Sequence, residues 1–445
     1  MKHRILRAVA CALAAVLLAG TAACSPKDAA AKQELVFLNF KPESASAYEK
    51  IAKEYENQTG VRITVNTAAS GEYEQTLKSE IAKSDAPTIF QINGPKGYAS
   101  WKNYCADLKS SELYAHLTDK SMAIEADGGV YGIPYVVEGY GIIYNQAIMD
   151  KYFALDGAKA TSIEQINSFA RLKAVVGDMT EKKAQLGIEG VFASTSLKPG
   201  EDWRWQTHLA NLPIYYEFAE NGVDLTGAGT DEIAFSYAEQ FRNIFDLYTD
   251  HSVSDKKLLG SRVVDDSMAE FALGKCAMVQ NGNWAWSQIS SIAGNTVEEK
   301  DMKFLPIYIG VQGEEKQSIC VGTENYFAIN AKQSAEKQQL ALDFLWWLFS
   351  SEKGKQLVTE ELGFITPFDT FSADELPADP LAREVSRYMN DDSLYNVSWV
   401  FPVFPSAVFK NNFGAALLSY VQGNTSWDEV RELVVRDWRE ESAAS

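Results

Sequence analysis

The sequence predicts a two-lobed α/β protein, each lobe a mostly parallel sheet flanked by helices. Three observations lead there. A chain of 445 residues is too long for one ordinary hydrophobic core. From Glu34 onward, short apolar strands alternate with amphipathic helices, the pattern of sheets covered by helices. The C-terminal third then repeats the same mixture.

The first residues are of a different kind. Lys2, Arg4 and Arg7 precede an apolar run from Ala8 to Gly20, and small residues lead to Cys24. A basic start, a short apolar middle and small residues before a cut describe an export signal. The run is too short to span a bilayer as a helix. Ending in Thr-Ala-Ala-Cys, with Thr21 where Leu is usual, it resembles a bacterial lipoprotein signal. That resemblance implies removal of residues 1–23, lipid on Cys24 and attachment to the cell membrane. Residues 24–33 then read as a flexible tether.

The elements follow in order. Glu34 to Phe40 reads as a strand. Tyr48, Ile51, Ala52 and Tyr55 mark an amphipathic helix, which Gly60 stops. Val61, Ile63 and Val65 alternate as a second strand, Leu77 and Ile81 belong to a helix, and Pro87 to Phe90 opens a third strand. In open sheets of this kind ligands sit beyond the carboxyl ends of strands, here Asn39-Phe40-Lys41, Asn66-Thr67 and Gln91-Ile92-Asn93. Asp127-Gly128-Gly129 is a tight turn. Gly139 and Gly141 flank Tyr140, where the backbone can change direction cheaply, so a lobe boundary is expected near Glu138–Gly141. Helical patterns cover Ile163–Val176 and Ile233–Tyr248. Phe327-Ala328-Ile329 is a strand before a helix whose Leu342, Leu345, Trp346 and Phe349 share a core face. Residues 398–405 carry two prolines and read as an irregular loop.

The chemistry is mostly defined by what is missing. A net charge of −19 disfavours nucleic acid and anionic surfaces. Beyond the signal only His116, His208 and His251 remain, and there is no GxSxG. No Walker loop, GxGxxG or zinc-type spacing occurs, so no cofactor or metal is expected. One enzymatic alternative is a surface glycoside hydrolase using two carboxylates, with Glu138 and Glu201-Asp202 as candidates. Two W-x-W pairs, Trp203/Trp205 and Trp284/Trp286, favour binding instead. On a helix, residues two apart point about 200° apart, so one ring of a pair must look away from the core that holds the other. Indoles offer an apolar face and one N–H donor, which suits the C–H face and hydroxyl rim of a sugar.

The strand–helix–strand order ending in TGVRITV, the APTIF strand, VYGIPY followed by EGYGIIYN, and above all GKCAMVQNGNWAWS resemble family-1 extracellular solute-binding proteins. These are the sugar-capturing components of bacterial ABC importers, a family that includes maltose-binding protein. The resemblance runs from about Glu34 to the C-terminus. It implies a periplasmic-binding-protein-like fold, with residues 34–138 and 325–372 in the N-terminal lobe and 139–324 and 373–440 in the C-terminal lobe. Hinges fall near 138–141, 321–326 and 370–375. Trp284 would line the cleft and Trp286 would pack into its own lobe. Asn39, Lys41 and Asn93 would face the ligand from the first lobe, Glu138 beside the hinge, and Asp202, Trp203 and Trp205 from the second lobe. Trp399 or Phe404 would close the far end. Asn93 stands where maltose-binding protein has an acid, so the ligand differs from maltose. The partners implied are a mono- or oligosaccharide and permease subunits, with the protein a monomer; a peptide or polyamine is the alternative ligand. Of Cys105, Cys276 and Cys320, the resemblance puts the last two in one lobe, and a Cys276–Cys320 disulfide is expected.

Overall fold

The computed structural model describes residues 33–223, 229–372 and 374–444. The signal segment, Cys24 and all of the tether but residue 33 lie outside the described residues. β1 (Glu34–Asn39), α1 (Ala45–Thr59), β2 (Arg62–Thr67), α2 (Tyr73–Glu80), β3 (Ile89–Asn93) and α3 (Gly94–Trp101) open the first lobe. Tyr48, Ile51, Ala52 and Tyr55 form the buried stripe of α1, and Gly60 ends it at φ +78°, a conformation that a Cβ would strain. β4 (Ile124–Ala126) and β5 (Gly129–Pro134) form a hairpin. Its turn residues Asp127 and Gly128 take φ +49° and +81°, as two-residue hairpins require.

The chain then builds the second lobe. It runs through β6 (Glu138–Asn145), α4 (Phe169–Glu181), a π-helical turn at Arg204–Leu209, α5 (Ala210–Asn221) and α6 (Ala238–Asp250). α7 (Val264–Ala272), β7 (Met278–Gly282), α8 (Ala285–Ser290), β8 (Met302–Leu305) and β9 (Gln317–Gly322) follow. β10 (Asn325–Ile329) and α9 (Ala335–Ser350) return to the first lobe. α10 (Pro380–Met389), β11 (Tyr395–Ser398), α11 (Ala407–Val421) and α12 (Trp427–Ala444) complete the second.

Each sheet buries both faces. In the first lobe Leu35, Phe37 and Ile89 meet α1 and α9, while Leu38, Phe90 and Ile92 meet Tyr73 and Leu77 of α2. In the second lobe Tyr140 and Ile142 enter one core and Ile143 the other, the period-two alternation of a strand.

Parallel pairing is narrower than the alternation of elements suggests. The six-stranded sheet runs β2-β1-β3-β10-β5-β4. Only β2–β1–β3 are parallel within it, and β10 is antiparallel to both neighbours. In the second sheet β6 is antiparallel to β7, β8 and β9, and only β9–β11 is parallel. A strand that arrives directly from the other lobe has no crossover helix to carry it back to the same end, so it enters in the opposite direction.

Several local expectations shift. α4 and α6 begin later than the apolar pattern suggests. The Ser168 hydroxyl caps α4 by accepting from the Arg171 N–H, and Phe235 just before α6 has φ +50°. Residues 395–398 pair with β9 as β11, and only Phe401–Val403 forms a proline-bearing 3-10 turn. Gly139 and Gly141 serve packing, not flexibility. A Cβ at Gly139 would come 2.7 Å from Val385, and one at Gly141 2.7 Å from the Leu305 carbonyl.

The expected disulfide is absent: Cys105, Cys276 and Cys320 are all free and buried. Cys320 lies opposite Tyr140 on one flank of β6. Cys276 lies beyond the Tyr144–Met278 pair on the other flank. At least one whole strand separates them, and two strand spacings of about 4.8 Å already exceed the roughly 7 Å Cα limit of a disulfide. Burial pushes the Cys320 thiol up to about 12, so these thiols behave as small apolar side chains.

Candidate ligand-binding cleft

The carboxyl end of β1 sets the base of the cleft. Asn39 is buried, donates to the Lys41 carbonyl at 2.7 Å and to Thr67 Oγ1 at 3.2 Å, and accepts from the Lys41 N–H at 3.0 Å. Its amide is thus engaged within its own lobe, where it shapes the turn that projects Lys41. It offers little to a ligand. The Lys41 ammonium reaches Glu138, the first residue of β6, at 2.8 and 2.9 Å from its two oxygens. Glu43 stands 3.8 Å away. Burial works against the ammonium, but the charges of Glu138 and Glu43 outweigh it and hold Lys41 above its ordinary pKa. Burial also raises Glu43, with Lys41 opposing.

The second lobe supplies an aromatic floor. Trp284 lies two residues past the end of β7, and its ring folds back over Gly282, where a Cβ would meet ring carbons at 2.2 Å. Only glycine admits that pose, which explains the Asn-Gly-Asn before the tryptophan. Trp399 uses the same device at the end of β9: a Cβ on Gly322 would lie 2.5 Å from its ring. Trp284 sits 5.9 Å from Trp203 and 6.4 Å from Trp399 between ring centroids. Lys41 lies 5.9 Å over the Trp284 ring. The indole N–H groups of Trp284 and Trp399 are buried and make no hydrogen bond within the protein.

His208 is the centre of this group and was not anticipated. Its ring lies 4.7 Å from Trp203, 5.5 Å from Trp284 and 4.5 Å from Phe401, on which it stacks. The Tyr140 hydroxyl donates to its carbonyl at 2.8 Å. Burial, and then the charge of Arg204, hold the imidazole well below its usual pKa, so it is neutral. The π turn closes each hydrogen bond one residue later than an α-helix, bringing Trp203 and His208 to one side. Pro213 in α5 marks the spot, because it has no N–H to continue regular bonding to the Leu209 carbonyl.

Other nominated residues lie elsewhere. Trp205 is 2 % exposed, its N–H donates to the Ser196 carbonyl at 2.9 Å, and its ring packs on Phe245 and Tyr248. It is a core residue of the second lobe. Asp202 is pressed against α11, where a Cβ on Gly414 would overlap its carboxylate; burial raises it to about 6. Phe404 packs among Phe409 and Trp438 in the core. Asn93 stands opposite Asn325 at the end of β3. The Asn93 side-chain oxygen and both amide atoms of Asn325 lack protein partners. Trp286 does pack on its own lobe, but it also borders a cavity of about 280 Å³ between the lobes, with Lys41, Glu43, Glu138 and Trp284.

The lobes touch on both sides of the aromatic group. A Cβ on Gly71 would meet the Gly200 carbonyl at 2.8 Å, and one on Gly94 would meet Pro402 at 2.9 Å. The structure is therefore a closed form. Glu324, between β9 and β10, faces Lys41 and Lys410, and burial raises it to about 7.

This architecture has known counterparts. A chitin oligosaccharide binding protein aligns over 92 % of this chain and 99 % of its own, with TM-score 0.70 and 17 % identity. A sugar transporter from Bacillus licheniformis in complex with stachyose aligns over 92 % and 100 %, with TM-score 0.67 and 17 % identity. A protein studied for xylan utilisation in Caldanaerobius polysaccharolyticus aligns over 91 % and 99 %, with TM-score 0.68 and 15 % identity. No curated protein matches the chain in sequence. Residues 50–384 match the model of a family described as bacterial extracellular solute-binding protein. With three quarters of its length inside that match, the chain belongs to the bacterial extracellular solute-binding proteins.

Proposed function

We propose that the protein captures a mono- or oligosaccharide between its lobes outside the cytoplasm and delivers it to the permease of an ABC importer. The observation that carries this reading is the trio Trp203, Trp284 and Trp399 around neutral His208, with the Lys41–Glu138 pair beside the Trp284 ring. Apolar ring faces beside hydrogen-bonding groups match the two kinds of surface a sugar presents. Oligosaccharides named for the structural counterparts support the same ligand class. The hydrolase alternative is disfavoured by the state of its carboxylates. Glu138 is engaged at both oxygens by Lys41, and Glu201 accepts from the Val264 N–H at the start of α7.

A thermal-shift screen of saccharides, peptides and polyamines tests this. A cognate sugar at 100 times its Kd should stabilise the fold by about 2.7 kcal/mol and be recovered unchanged. Stabilisation by a peptide or polyamine alone would overturn the reading, and hydrolysis products would revive the enzyme.

The lipid anchor is part of the same proposal. It rests on the Thr-Ala-Ala-Cys motif before the tether. Cys24→Ser should move the protein from the membrane fraction to the soluble one, since acyl chains supply the holding energy. A variant that stays with the membrane would remove the anchor from the proposal. No described helix is long and apolar enough to cross a membrane.

A further inference from the structure

We propose that the saccharide carries a carboxylate, as in a uronate unit, and that Arg204 is the group that reads it. This rests on the carbohydrate reading above and goes further by assigning the ligand a charge.

Arg204 is 4 % exposed, yet among the described residues its guanidinium makes a single hydrogen bond, from Nε to Asn281 Oδ1 at 3.3 Å. No carboxylate among the described residues forms an ion pair with it, whereas the cleft's other deeply buried cation, Lys41, has Glu138 at 2.8 Å. Glu201 and Glu43 act on it only through space, and a buried charge without a directly paired counter-ion is costly, so this one has room for a partner from outside the chain. The guanidinium carbon lies 3.9 Å over the Trp203 ring, which fixes its plane while neither amino group has a hydrogen-bond partner among the described residues. That fork suits two parallel hydrogen bonds to a planar carboxylate. Its charge reaches Glu43 of the opposing lobe, so it acts on the cleft. Trp203 beside it offers the flat face on which the sugar ring itself would lie.

The surroundings agree. The Lys410 ammonium of α11 has no ion pair or hydrogen bond among the described residues, and it feels Glu324 and Glu74 only through space. His208 at the floor feels Arg204, Lys41 and Lys410. The cleft's acids are engaged elsewhere or act only through space. Glu138 and Glu43 are held by Lys41, Glu201 accepts from the Val264 N–H, Glu74 accepts the Trp101 indole N–H at 2.9 Å, and burial raises Glu324 to about 7. Arg204 and the Lys410 ammonium are thus two cations at the cleft with no carboxylate in ion-pair contact among the described residues, in a chain of net charge −19. A sulfate on the sugar would share the anionic chemistry but lacks the planar match.

The test is calorimetry with linkage-matched sets: cellobiose against cellobiouronic acid, galactobiose against digalacturonic acid, and galactose against galactose 6-sulfate. A uronate member should bind about 10- to 100-fold tighter than its neutral counterpart, the worth of a charge-assisted pair. Arg204→Gln should erase that ratio, weakening the uronate member far more than its neutral counterpart. Arg204→Lys, which keeps the charge and provides the readout should the glutamine variant fold poorly, should retain part of the ratio. Neutral sugars binding as tightly as their acids, or a preference that survives Arg204→Gln, would overturn the proposal and leave carbohydrate capture standing. Preference for the sulfate alone would replace the uronate assignment. Binding of none of these sugars, with a non-sugar ligand found in the screen, would sink both readings together.

Discussion

Trp284→Ala is expected to weaken saccharide binding about 30- to 1000-fold. The ring is propped over Gly282 with one face committed to the backbone and its N–H unsatisfied by the protein. Its other face and its donor are what a ligand would use. Truncating an aromatic anchor commonly costs about 2–4 kcal/mol, and each 1.4 kcal/mol is tenfold in Kd. Trp205→Ala should behave in the opposite way. Its indole is enclosed by Phe245 and Tyr248, so the loss should appear as about 3–5 kcal/mol of folding stability, with little direct effect on affinity. Calorimetry and urea denaturation of both variants separate the two roles. Unchanged affinity in Trp284→Ala would take that ring out of the site.

The two W-x-W pairs show how far sequence reasoning reached. Residues two apart on a helical turn point to opposite sides, and the rule does divide Trp203 from Trp205. Its own logic assigns only one of that pair to the cleft, but both were nominated, because sequence alone does not say which side of a helix meets the core. At Trp284 and Trp286 the division is less sharp, since α8 starts at the lobe interface and Trp286 packs on its lobe while bordering the same cavity. Strand–helix alternation and turn chemistry were legible because they are local: the α1 stripe, the Gly60 stop and the Asp127-Gly128 turn follow from neighbouring residues. Strand direction was not, since β10 takes its sense from which lobe the chain has just left. Asn39 and Asp202 stand as ligand groups through the family resemblance. Their partners, Thr67 and Gly414, come from distant segments that no local pattern connects. His208 escaped notice for a similar reason. A lone histidine carries no motif, and its place depends on a π turn whose only written trace is Pro213.

Lys41→Met is expected to destabilise the folded protein by about 3–5 kcal/mol, the usual result of removing one partner of a buried ion pair. Lys41 and Glu138 are only 6 % and 3 % exposed at their side chains, with the ammonium at 2.8 and 2.9 Å from the carboxylate oxygens. The residue left behind would be a carboxylate shut between β1 and β6, with Glu43 as a like-charged neighbour. Removing both charges avoids that cost, because apolar replacements of a buried pair are often neutral in stability. Lys41→Met combined with Glu138→Leu should therefore recover most of what the single variant loses. Urea denaturation of the single and double variants supplies the comparison. If the double variant falls as far as Lys41→Met or further, the damage comes from lost packing at the lobe junction and not from an unpaired charge. Recovery would show that the junction is held by mutual neutralisation. The pair could then be exchanged for apolar contact without loss of fold, and its retention would be explained by what Lys41 and Glu138 present to the ligand.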